Sequence, residues 1–301
     1  MSDNFFRINR GVTLNPQSEY GSGDPVGTNG DIYYNNVLGK FRKFQNGFWT
    51  DLDVSGGGGG SGSPWVAQEV PLTVASTSES VGFSTPQADT SYVVFAMMEN
   101  LVDPNPKFQQ VEVTQKNVNG FTVQWNVPLD TVNYTLSFIV PPKWVAYAES
   151  SVISGATSST VTFPFPQAAS SYGVIAQFQN TVDALPQFQT LIVNAKTTAN
   201  ASFKWNDPTD TANYKIPYML NATSQVAVGS GATSAILTLP VDYGSTAYGI
   251  VVTAQNTVDP TPKFQPMLVT AKGTNNVTIS WNDPTDTANY VLTCYAISTT
   301  P

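Results

Sequence analysis

The chain has 301 residues, with 13 Lys and Arg against 21 Asp and Glu for a net charge of −8, no histidine, and one cysteine, Cys294. Without histidine there is no Ser–His or Cys–His pair and no His-ligated zinc, and a single cysteine forbids an intrachain disulfide. An acidic chain with no arginine after Arg42 is also poorly suited to nucleic acid, whose phosphates require clustered Lys and Arg.

In chain order, the first residues, Met1-Ser2-Asp3-Asn4-Phe5-Phe6-Arg7, lack the apolar stretch of a secretory signal. No run of about 18 apolar residues follows, so the expectation is a protein made in a cytoplasm, without membrane insertion. Residues 1–53 form a distinct head piece, which holds all three arginines. Two turn signals, Asn35-Asn36-Val37-Leu38-Gly39 and Asn46-Gly47, separate three short runs rich in aromatics. The pattern predicts a three-stranded β-meander. A sheet this small is barely stable alone, and chains below roughly 40 residues usually need a metal, a disulfide or a partner. Ile32, Tyr33, Tyr34, Phe41, Phe44, Phe48 and Trp49 are therefore the expected anchoring and oligomerisation surface. Residues 54–63 read as a flexible linker, the run Gly56 to Gly60 being unbroken.

Several head-piece segments carry a family likeness: Arg7-Ile8-Asn9-Arg10-Gly11-Val12-Thr13-Leu14-Asn15-Pro16-Gln17, Gly30-Asp31-Ile32-Tyr33-Tyr34-Asn35, Gly39-Lys40-Phe41-Arg42 and Asn46-Gly47-Phe48-Trp49-Thr50-Asp51. Together they resemble the short N-terminal modules of tail-fibre and head-fibre proteins of tailed bacteriophages. The resemblance covers about a seventh of the chain. It implies a virion protein, assembled in the host cytoplasm, that forms a homotrimer and docks onto a capsid or tail component. It also implies projecting domains that touch the host surface. A lectin-like module that recognises host surface glycans is the alternative. Neither reading needs a cofactor or a catalytic residue.

The remainder is repetitive. Trp125-Asn126-Val127-Pro128-Leu129-Asp130-Thr131-Val132-Asn133-Tyr134 returns at Trp205–Tyr214 and Trp281–Tyr290, the tryptophans lying 80 and 76 positions apart. Upstream, Asn100-Leu101-Val102-Asp103 matches Asn180-Thr181-Val182-Asp183 and Asn256-Thr257-Val258-Asp259. Repeats of 64–142, 143–223 and 224–301 follow. Within each, Thr, Val, Tyr and Phe alternate at period two between turns marked by Pro, Asn, Gly and Asp, which predicts six or seven short strands. The expected class is all-β: three tandem Ig-like β-sandwich repeats behind the meander, each with its own core around one tryptophan.

Candidate sites come from the repeated loops. Asp103, Asp183 and Asp259 sit in long loops between strands and are the possible surface-binding positions, since loops on a rigid scaffold commonly carry recognition. The competing reading is a proline-stiffened crossover with Phe108, Phe188 and Phe264 plugging the core. Asp130, Asp210 and Asp286, with Asn133, Asn213 and Asn289, could offer oxygens to calcium, but they lack the alternating carboxylates of a calcium loop and read as turn chemistry, with no metal expected. Trp125, Trp205 and Trp281 alternate with strand residues as buried positions do, rather than as a sugar-stacking ladder. Trp65 and Trp144 fall at the junctions between repeats. Cys294 lies among apolar neighbours and has no histidine to activate it.

Overall fold

A computed structural model describes the backbone of residues 32–35, 40–45 and 48–51, and residues 66–142, 147–163, 166–167, 169–220, 224–263 and 265–298. Arg7 to Gln17, the glycine run, Trp65, Trp144 and Phe264 lie outside the described residues. All described elements are strands, so the all-β class holds. The chain divides into two compact units, Met1–Ser61 and Gly62–Pro301.

In the first unit, β1 (Ile32–Asn35), β2 (Lys40–Gln45) and β3 (Phe48–Asp51) form an antiparallel meander. The register sets Tyr34 opposite Phe41 and Phe44 opposite Trp49.

In the second unit each repeat supplies six strands. The first repeat holds β4 (Val66–Pro71), β5 (Ser78–Gly82), β6 (Phe95–Asn100), β7 (Glu112–Asn117), β8 (Gly120–Gln124) and β9 (Tyr134–Val140). The second holds β10 (Tyr147–Ser151), β11 (Ser158–Thr162), β12 (Val174–Ala176), β13 (Leu191–Lys196), β14 (Asn200–Trp205) and β15 (Lys215–Leu220). The third holds β16 (Ser224–Val228), β17 (Ser234–Thr238), β18 (Tyr248–Gln255), β19 (Met267–Lys272), β20 (Asn276–Trp281) and β21 (Tyr290–Ser298). In every repeat the second, fifth and fourth strands pair in that order, and so do the first, sixth and third. The same β-bulge recurs in the fourth strand, between Val113 and Gln115, Val193 and Ala195, and Val269 and Ala271.

The sheets do not stop at repeat boundaries. Strand β13 runs parallel to β18, with Ile192 opposite Ala254 and Val193 opposite Gln255. Strand β19 runs parallel to β6, with Val269 opposite Glu99. Between the first and second repeats the strand pairing is a single parallel bridge, Val113 to Gln179, where the Asn180 N–H donates to the Val113 carbonyl at 3.1 Å. The fourth strand of each repeat thus meets the third strand of the next, and the last repeat returns to the first. A head-to-tail contact that closes in this way makes a ring. The expected string of separate sandwiches is therefore replaced by a closed, pseudo-three-fold arrangement built on shared sheets.

Burial follows from this topology. Three cores belong one to each repeat, around Trp125, Trp205 and Trp281. Each indole N–H donates to a carbonyl of the turn after the first strand, that of Ser76, Ala156 or Ala232, at 2.9–3.1 Å. A fourth cluster draws on all three repeats: Phe95, Ile175 and Val251 are equivalent positions on the three third strands, and Ile139 and Met219 join them from sixth strands. Strands β6 and β9 are consequently buried on both faces. Side chains tie the repeats together here as well. The Ala96 N–H donates to Gln177 Oε1, the Ala176 N–H to Thr253 Oγ1 and the Ile250 N–H to Ser137 Oγ, at 2.8–2.9 Å.

The turn after the first strand needs a left-handed residue at one position in each repeat. Gly155 and Gly231 supply it with φ of 78° and 77°, whereas the first repeat places Ala75 there at 61°.

Candidate surface-binding loops

The loop that leaves each third strand is held by its own aspartate. Asp103 Oδ2 accepts from Asn100 Nδ2 and Thr131 Oγ1, and Asp103 Oδ1 accepts from Asn133 Nδ2, each at 2.6 Å. The Asp103 N–H donates back to Asn100 Oδ1 at 2.9 Å. Asp183 is held by Asn180, Thr211 and Asn213 in the same way, and Asp259 by Asn256, Thr287 and Asn289. Hydrogen bonds from the threonine hydroxyl first, then from the two asparagines, hold all three carboxyls below the usual aspartate range.

This explains the spacing of the two motifs. Asn-x-Val-Asp and Asp-Thr-x-Asn-Tyr are the two halves of one lock, joining the loop before the fourth strand to the loop before the sixth. The tyrosine closes it: the Tyr134, Tyr214 and Tyr290 hydroxyls accept the N–H of Lys107, Gln187 and Lys263 at 2.6 Å. Phe108 packs against the first core and Phe188 is half-buried. The lock leaves the valine of the motif outside: Val102, Val182 and Val258 are 70%, 70% and 68% exposed. Each repeat thus presents one stiffly held apolar tip.

The other candidates fall into place around the lock. The Asp130 carboxylate lies 3.6 Å from Lys107 Nζ, and Asp286 Oδ1 accepts from the Tyr290 hydroxyl at 3.0 Å. Among the described residues no cluster of three or more acidic, histidine or cysteine side chains is placed to hold a metal ion. Trp125, Trp205 and Trp281 are buried, out of reach of a sugar, and Cys294 is buried in the third core. A cavity of about 50 Å³ lies between the repeats beside Met97, Gln177 and Thr253, a volume on the scale of water molecules rather than of a metabolite. No helix among the described residues is long and apolar enough to cross a membrane. Of the meander residues Ile32, Tyr33, Tyr34, Phe41, Phe44, Phe48 and Trp49 the backbone pairing is described.

Sequence reasoning missed a second set of residues that sits on the seams between repeats. Lys116, Lys196 and Lys272 are equivalent; each donates to the carbonyl of Tyr92, Tyr172 or Tyr248 and lies 4.8–5.5 Å from that ring's centre. Two of them cross to the next repeat. Lys116 pairs with Glu149 at 3.1 Å, and Lys272 with the equivalent Glu69 at 2.5 Å. The third repeat has Gln225 at that position. Alignment of the repeats would have exposed the pattern, because Glu69 and Glu149 stand at the same point before their tryptophans.

Comparison of the chain with family models, curated proteins and solved structures finds no match.

Proposed function

We propose that this chain is a non-enzymatic structural protein of a bacteriophage virion, a head or tail fibre or decoration. The reading makes residues 1–53 the anchor, a homotrimeric docking piece on a capsid or tail component. Its Ile32, Tyr33, Tyr34, Phe41, Phe44, Phe48 and Trp49 would be covered by copies or by the partner. The Ig-like repeats, six strands each in two faces, are then carried outward as one fused block that makes weak contact with the host surface.

The observation that carries this reading is where the polar groups of the repeats are spent. The aspartates, tyrosines and seam lysines that recur in every repeat bond to the protein itself. What they leave exposed is three copies of one rigid valine-tipped loop. Three equivalent weak contacts gain from high effective concentration once the first is made. A stiff scaffold with repeated tips suits adhesion better than turnover.

Light scattering on the full chain and on residues 64–301 tests the anchor. A full-length mass of three times the 32.3 kDa chain, with a monomeric 64–301 piece, supports the reading. A monomer in both forms counts against it. The same three tips also fit the lectin-like alternative. Glycan-array binding lost on substitution of the Asp103, Asp183 or Asp259 loops would favour that reading.

A further inference from the structure

We propose that the seam between the first and second repeats is a pH-operated latch that closes only while the Glu112 carboxyl carries its proton. The fourth strand of each repeat sends one side chain into the core of the following repeat. Ile192 of β13 belongs to the third core, and Leu268 of β19 to the first. The equivalent residue on β7 is Glu112. It is fully buried, and neither carboxyl oxygen has a hydrogen-bond partner. An acid thus occupies a site that the other two seams fill with an aliphatic plug.

Its surroundings offer a charge nothing. Asp210 and Asp183, from two loops of the second repeat, both act on it as like charges, and the Tyr214 hydroxyl, just before β15, feels its charge. The lysine that pairs across this seam, Lys116, and Lys215 of the second repeat both turn to Glu149, at 3.1 and 3.4 Å. Burial, with the two aspartates adding to it, holds the Glu112 carboxyl well above the ordinary glutamate range. Loss of its proton to solvent puts an unpaired anion in an apolar core, the costliest arrangement a side chain can adopt.

The seam is also the one least able to resist. The second and third seams merge their sheets into continuous six-stranded ladders. The first leaves β5-β8-β7 and β10-β15-β12 as two separate sheets whose strands pair only at the Val113–Gln179 bridge, beside the Gln177 side chain bonded to Ala96 and Val111. Ionisation of Glu112 is relieved by parting that bridge and admitting water, while the other two seams stay shut. The ring opens at one chosen place.

Hydrogen exchange on the full chain at about pH 6 and about pH 9, corrected for intrinsic exchange, reads the latch directly. Amides of 111–117 and 177–182 are expected to lose protection, about tenfold per pH unit beyond the carboxyl's titration point, while 191–193 at the second seam keep theirs. E112Q and E112L are both expected to hold the first seam shut at the higher pH, the leucine restoring the plug of the other seams. Equal pH responses in the wild type and in whichever variant folds would overturn the proposal. So would an equal loss of protection at 191–193 of the second seam.

Discussion

Lys272 Nζ sits 2.6 Å from Glu99 Oε1, with the two side chains 1% and 2% exposed, so the closing seam of the ring buries an ammonium against a carboxyl. Glu69, at the rim, takes the same ammonium at 2.5 Å, and the Tyr248 ring lies beneath it. The positions equivalent to Glu99 are Gln179 and Gln255, so only this seam adds a second acid to the lysine. Breaking a buried pair by removing one partner is far costlier than exchanging both for apolar groups, because the survivor is left charged and dry. Lys272→Met should therefore lower stability by about 3–5 kcal/mol in denaturant unfolding at neutral pH.

Glu99 also makes stability depend on pH. Burial first, partly offset by Lys272, pushes its carboxyl up to about 7 from an ordinary 4.5. The folded state therefore holds the proton more tightly than the unfolded chain does. That contribution is complete below about pH 4.5 and is lost as pH rises towards 7. In Glu99→Gln, melting temperatures measured across this window should fall less steeply than in the wild type. A parallel curve would remove Glu99 as a source of the slope.

The three loop locks act at the acid end. Their carboxyls titrate below the ordinary aspartate value of 3.8, so the stability they add is present above it and is lost as pH falls through the lower folded values. Asp183→Ala should loosen 180–186 in hydrogen exchange, leaving the Asn180, Thr211 and Asn213 donors without their acceptor. It should also reduce the steepness of acid unfolding.

Ala75 holds a left-handed conformation that its counterparts Gly155 and Gly231 adopt without a side-chain penalty. Ala75→Gly should raise stability by about 1 kcal/mol, since the left-handed region costs an L-residue roughly that much. Gly155→Ala should do the reverse. Urea midpoints of the two variants on either side of the wild type would bear this out.

Shared sheets also change how the repeats unfold. Trp205 packs edge-on against Phe178 at 4.9 Å in the second core. Trp205→Ala should cost about 3–5 kcal/mol, as large aromatic truncations do. Because the cores share strands and the central cluster, calorimetry of the variant should show one transition lowered as a whole. A second-repeat transition split from the other two would mean that the repeats fold separately.

The strands and turns were legible because period-two alternation and punctuation by Pro, Asn and Gly are local signals. The meander at Ile32–Asp51, the burial of Trp125 and the two halves of the loop motif all came from such patterns. Closure of the ring was not local, yet it left a trace. Val93-Val94-Phe95-Ala96-Met97-Met98 is a continuous apolar run rather than an alternating one, and such a run marks a strand covered on both faces. Its second face packs on the central cluster that three tandem sandwiches would lack. The pairing of the Asn-x-Val-Asp loop with Asp-Thr-x-Asn was hidden for a related reason. Repetition shows that the two motifs travel together but says nothing of Thr131 and Asn133 donating to one carboxylate.

Ala67, at the start of the first repeat, and Ile297, near the end of the last, pack in the same central cluster. Entry and exit of the repeat block are therefore neighbours, and the order in which its strands are read along the chain is partly arbitrary. A circular permutant that bridges these ends and begins instead within the exposed loop at 182–185 should keep every sheet. Nothing in the block's architecture requires the first repeat to be synthesised first.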